Sequence, residues 1–106
     1  MRTVARLTGV EPVKVEDTEK TFVELKARIK KARDYVSAAD KAKIDAAADR
    51  SITFPMGPQT MTMTGSAYLS HFALPNFYFH ATMAYAILRE NGVDVGKRDF
   101  LGQMGS

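Results

Sequence analysis

The chain has 106 residues, a mass of 11.7 kDa and a net charge of +3, with 45% hydrophobic and 25% charged residues. That profile fits one small globular domain over residues 1–106 and excludes disordered and collagen-like classes; by size scaling, folding would bury about 65% of the unfolded surface, enough for one modest core. No apolar run approaches the roughly 20 residues of a membrane span, and the absence of cysteine excludes disulfides, thiolate metal sites and a cysteine nucleophile.

Residues 1–7 have the pattern of the last turns of a helix, with Gly9 placed for a left-handed C-terminal cap. Nothing caps the start of this helix, as though its upstream turns lay outside the sequence. No apolar signal-peptide stretch occurs, and the acidic residues from Glu11 onward argue against a transit peptide, so a cytoplasmic location is expected. Residues 11–20 form a polar connector. Thr21 and Glu24 then have the spacing of a capping box, which predicts a helix to about Val36.

The basic bias belongs to the first fifty residues, which hold 12 Lys and Arg against 9 Asp and Glu. Five of the eight residues from Lys26 to Arg33 are basic, but they surround an apolar stripe of Phe22, Leu25, Ile29, Ala32 and Val36 instead of gathering on one face. With no aromatic platform between them, they indicate a solvated helix and no nucleic-acid partner. Glu24 with Arg28, and Lys30 with Asp34, stand at ion-pair spacing.

Asp40 is placed to open an Ala-rich segment reaching about Asp49, read as a short helix or a pair of helical turns. Residues 51–65 change period: Ile52 and Phe54, then Met61 and Met63, alternate with polar residues around Pro55-Met56-Gly57-Pro58, which predicts a β-hairpin. Two strands alone are marginal in water, so the Ile52, Phe54, Met61 and Met63 face must pack on a helix or a partner chain. Met56, Met61, Met63 and Met83 are adaptable packing and not a soft-metal box. Ser66 is placed to cap a helix of about two turns ending at Pro75, with a bend there and a second helix over residues 76–90 closed by Asn91-Gly92. The remaining tail is glycine-rich, with its last few residues expected to be loose.

On the helix over residues 76–90, Asn76, Met83 and Ile87 fall within about 60° of His80, while Tyr78, Thr82, Tyr85 and Arg89 lie opposite. This arrangement predicts His80 facing a core, kept neutral by burial and able to ligate a metal. Two readings remain open for it, a core histidine held by one hydrogen bond or a metal or substrate ligand, with Asn76 as partner or second pocket wall. His71 is nine residues earlier, about 13.5 Å of helical rise away, and is expected at the surface. No phosphate-binding loop, nucleophile elbow or His-Glu-x-x-His pair occurs, and no catalytic pair stands out.

Three segments are similar to a bacterial and fungal family known as a domain of unknown function. They are residues 6–12 (Arg-Leu-Thr-Gly-Val-Glu-Pro) with Glu16-Asp17-Thr18-Glu19 and Thr21-Phe22-Val23-Glu24-Leu25, the run from His71-Phe72-Ala73-Leu74-Pro75 through Asn76-Phe77-Tyr78-Phe79-His80, and Gly96-Lys97-Arg98-Asp99-Phe100-Leu101-Gly102. That family is grouped with the DinB/YfiT-like metalloenzymes, which implies a mainly helical fold, a partial DinB-like four-helix bundle carrying one small hairpin. The wider group uses three histidines around a divalent metal, and some members transfer low-molecular-weight thiols. By this resemblance His80 is the candidate ligand for zinc or nickel. The histidine pattern would put a second ligand one turn away, where this chain has Ala84 and Asn76. Family members are longer at the N-terminus by the first helix and most of the second, so the chain is expected to lack those helices, as a fragment, a mis-started product or a form that covers its open face as a homo-oligomer. The leading expectation is therefore an uncharacterised relative of metal-dependent bundle enzymes with a pocket at His80, Asn76, Met83 and Ile87. The alternative is a non-catalytic module for a small molecule or for self-association through Phe72, Phe77 and Phe79.

Overall fold

The computed structural model describes residues 1–103. The order of elements is α1 (Arg2–Thr8), α2 (Phe22–Ser37), α3 (Lys41–Ala46), β1 (Ser51–Met56), β2 (Gln59–Thr64), α4 (Gly65–Ala67), a π-helical stretch (Tyr68–Ala73), α5 (Leu74–Glu90) and α6 (Lys97–Leu101). The expected mainly helical fold with a single antiparallel hairpin is what the structure shows. Two compact units are formed, one over Met1–Ser70 and one beginning at His71. The tail expected to be loose falls partly at residues 104–106, outside the described residues.

In the first unit, local signals set the helix ends. Gly9 closes α1 at φ 74°, a left-handed position that glycine occupies without a Cβ penalty. Asp40 caps α3 through the amides of Ala42 and Lys43. At α2, Thr21 Oγ1 accepts from the amide of Glu24, and Glu24 Oε2 accepts from the amides of Thr21 and Lys20 at 2.9 and 2.7 Å. The expected Glu24–Arg28 pair does not form, because the capping box occupies that carboxylate. Arg28 instead turns to the connector, where its Nη1 donates to Asp17 Oδ1 and Glu19 Oε2, each at 2.7 Å. The Lys30–Asp34 pair forms as the spacing predicts.

Accepting the amide protons of Lys20 and Thr21 holds the Glu24 carboxyl below its usual range. A carboxylate whose folded pKa is depressed stabilises the fold above its unfolded pKa, and that contribution disappears as pH falls through the folded value. Acidification is therefore expected to fray the first turn of α2, while Glu24→Gln removes most of this pH dependence. Amide exchange of residues 20–25 from neutral to acid pH measures it, and unchanged protection in acid would refute the assignment.

The hairpin pairs Ile52 with Met63 and Phe54 with Met61. Its two-residue turn is Gly57-Pro58, with Gly57 at φ 61° as a primed hairpin turn requires. Pro55 remains in β1, which a two-stranded sheet tolerates because each strand has an open edge. Phe54 and Tyr68 are each 1% exposed and meet edge to face with centroids 5.0 Å apart. The Arg6 guanidinium of α1 lies 5.0 Å from the Phe54 centroid, and its Nη1 donates to Tyr68 Oη at 3.1 Å. The hairpin face expected to need a helical partner thus has one, completed by buried Ile52, Ala5, Leu7 and Ala47.

Between the hairpin and α5 the sequence expectation needs correction. Thr64, not Ser66, caps the helical start, accepting from the amide of Ala67, because β2 runs up to Thr64 and leaves Ser66 already inside the turn. The helix expected to stop at Pro75 instead passes through the π-helical stretch into α5, where Pro75 occupies the first turn. Proline supplies no intrahelical donor in this continuous helical run, and a π-helical change of hydrogen-bond register just before it is one way a helix accommodates that loss.

In the second unit, Asn91 caps α5 and Gly92 follows at φ 85°, as expected. The tail also contains α6, to which the sequence reading assigned no element; Asp99 Oδ2 accepts from the Gly96 amide at 2.7 Å and fixes its first turn. Among the described residues no helix is long and apolar enough to cross a membrane.

A candidate functional site on α5

The sequence of α5 combines good helix formers with aromatics and continues for 17 residues, about 25 Å. Regular helical spacing keeps Asn76, His80, Met83 and Ile87 on one face, as the wheel predicted. That face is not a core. No residue of α5 is buried, and Asn76, His80, Met83 and Ile87 are all exposed. The expectation that His80 points into a core is corrected: periodicity identifies the residues that share a face, but a face becomes interior only where another element covers it. His80 meets the ring of Phe79, its neighbour in sequence, edge to face at 5.3 Å. His71, in the π-helical stretch, is exposed as expected.

A divalent metal such as zinc takes three protein ligands in a catalytic site, at roughly 2.0–2.1 Å for imidazole nitrogen. Among the described residues no group of three or more His, Cys, Asp or Glu side chains gathers to hold one. One turn on either side of His80 stand Ala84, which has no donor, and Asn76, which has only a neutral amide. The side chains present therefore do not fit a metal centre built by this chain alone.

The same pattern recurs in the first unit. No residue of α2 is buried, and Phe22 is 83% exposed, with Leu25, Ile29 and Val36 exposed along the same stripe. A groove at the far end of α5, lined by Tyr85, Arg89, Lys97 and Phe100, was missed by sequence reading because α6 was not foreseen. The only available signal was the spacing of Gly96 and Asp99.

The chain is mainly helical, with one antiparallel hairpin and a long helix bearing a single histidine. The solved structure of a DinB family member protein from Shewanella denitrificans is similar to this chain over 98% of its length, with 42% sequence identity and a TM-score of 0.87. The match covers 59% of that protein's chain, so this chain spans less than two thirds of that relative's length. The family described as a domain of unknown function, DUF1993, matches residues 1–101, and the chain belongs to it. No curated protein matches the chain.

Proposed function

We propose that this chain is a non-catalytic association module whose partner is a second copy of itself, and that covering α5 creates a small-molecule pocket around His80, Asn76, Met83 and Ile87. The observation that carries this reading is that neither long helix buries a residue although each has an apolar stripe. Phe77, Met83 and Ile87 on α5, with Phe22, Leu25 and Ile29 on α2, are exposed. An exposed apolar stripe along a helix is the kind of surface that marks an interface. A self-complementary contact between two copies covers each stripe with its counterpart.

The rival reading, a metal-dependent enzyme relative, draws on the likeness to the DinB family member and on His80. In that reading this chain supplies one ligand, and the others come from outside it.

Sedimentation of the purified chain separates the two. The module reading expects a dimer that Ile29→Glu or Ile87→Glu converts to monomer, and a chain that remains monomeric at high concentration removes it. A ligand that binds only the native state raises the unfolding midpoint. If excess zinc or nickel raises the midpoint of the wild-type chain but not of His80→Ala, the non-catalytic reading gives way to the metal-dependent one.

A further inference from the structure

On the side of α5 opposite His80, Thr82, Tyr85 and Arg89 share one edge, and the turn at Asn91-Gly92 brings α6 back beside them. Together with Lys97 and Phe100 they line a groove of about 330 Å³. Its apolar wall is the Tyr85–Phe100 pair, whose rings meet edge to face at 5.7 Å and 72°. Its polar wall is cationic. Arg89 Nη1 donates to Tyr85 Oη at 3.0 Å, and the guanidinium carbon lies 5.8 Å from the Tyr85 ring centroid.

That hydrogen bond has two consequences. It orients the guanidinium while leaving the Nε–Nη2 edge, the fork that grips a carboxylate, without a partner among the described residues. It also makes Tyr85 Oη an acceptor, so its own proton is available to a ligand. Neither Arg89 nor Lys97 enters an ion pair among the described residues, and Asp99, the acid near Lys97 in sequence, uses Oδ2 on the Gly96 amide.

We propose that this groove binds small aromatic carboxylates. A compact inorganic anion would engage the two cations and leave the rings unused, and a neutral arene would do the reverse. Only a ligand with a planar acid head and a single-ring body uses both walls, and the volume lies at the lower end of the range for ligand sites, roughly 300–1,000 Å³. The groove is on the side of α5 away from the stripe assigned to self-association, so it is independent of the oligomeric state.

The test is a titration of the chain with benzoate at low salt, followed by amide and aromatic NMR shifts, with benzyl alcohol and inorganic phosphate as comparison ligands. Benzoate is expected to saturate with shifts confined to residues 82–100 and to bind about tenfold or more tightly than either comparison ligand. Arg89→Gln, and separately Lys97→Gln on the other element, are each expected to weaken it by about tenfold, the loss of one charge-assisted hydrogen bond. The site is refuted if benzoate does not saturate, if phosphate binds equally well, or if benzoate binds both folded variants as it binds the wild type.

Discussion

Replacing Gly65 by alanine is expected to cost about 3 kcal/mol or more, the upper end of the penalty for forcing extra atoms into packed structure. A Cβ at position 65 would lie 1.9 Å from the carbonyl oxygen of Ala47 and 2.7 Å from its carbonyl carbon. Both are backbone atoms, so no side chain can rotate away. Neither strand of chain can retreat cheaply, because the Gly65 amide donates to Arg50 O and the Ser66 amide to Ala48 O, each at 2.9 Å. A small domain has only about 5–15 kcal/mol of stability in total, so the loss removes a large share of it. Gly57→Ala is the informative control: it meets open space and is strained only by its φ of 61°, at a cost of about 1–2 kcal/mol. Urea unfolding ranks the two. If Gly65→Ala unfolds at the wild-type midpoint, the close approach to Ala47 is wrong.

The second large effect is expected for Phe54→Ala, at about 3–5 kcal/mol, the range for removing a buried aromatic ring. Phe54 is 1% exposed, and its ring meets Tyr68 on one side and the Arg6 guanidinium on another. Its loss opens a cavity at the point where the hairpin joins α1 and the chain leading to α5, and a two-stranded sheet has little stability of its own. Phe54→Leu, which retains most of the volume, is expected to cost under about 1.5 kcal/mol. Denaturant midpoints give the ranking, and loss of the 2.9 Å Thr53–Thr62 hydroxyl contact reports whether the hairpin itself has opened. Equal midpoints for the alanine and leucine variants would show that the ring does not carry this contact.

These two sites differ in how far they could be read from sequence. Alternation made Phe54 a core candidate, because a strand face is local information. Nothing near Gly65 announces that Ala47 will lie against it, since that proximity is produced by the whole segment between them. The same distinction runs through the chain. Gly9, the Thr21–Glu24 box, Asp40 and Asn91-Gly92 act within a few residues, and each sets its end of a helix as expected. Arg28 had two sets of acids to choose between, and only the competition for Glu24 decided it. The face around His80 was placed correctly on its helix but wrongly in depth, because the spacing of residues does not specify what lies opposite. The mainly helical fold and the hairpin depend on the first kind of information, whereas a binding site depends on the second.

Arg50 places the first unit under a different constraint. Its Nη2 donates to the carbonyls of Arg6 and Leu7 at 2.8 and 2.7 Å, its amide donates to Ala47 O, and its carbonyl accepts from Gly65. One residue thereby ties together segments more than forty positions apart in the chain. Such ties form only after the loop between them has closed, at an entropic cost that no local turn repays. Helix α1 is therefore expected to dock after the hairpin has formed from neighbours in sequence, an order that residue-resolved folding kinetics would test. Because α1 buries Ala5 and Leu7 and is held by Arg50 while α2 buries no residue, α1 amides are expected to stay protected from hydrogen exchange longer than those of α2.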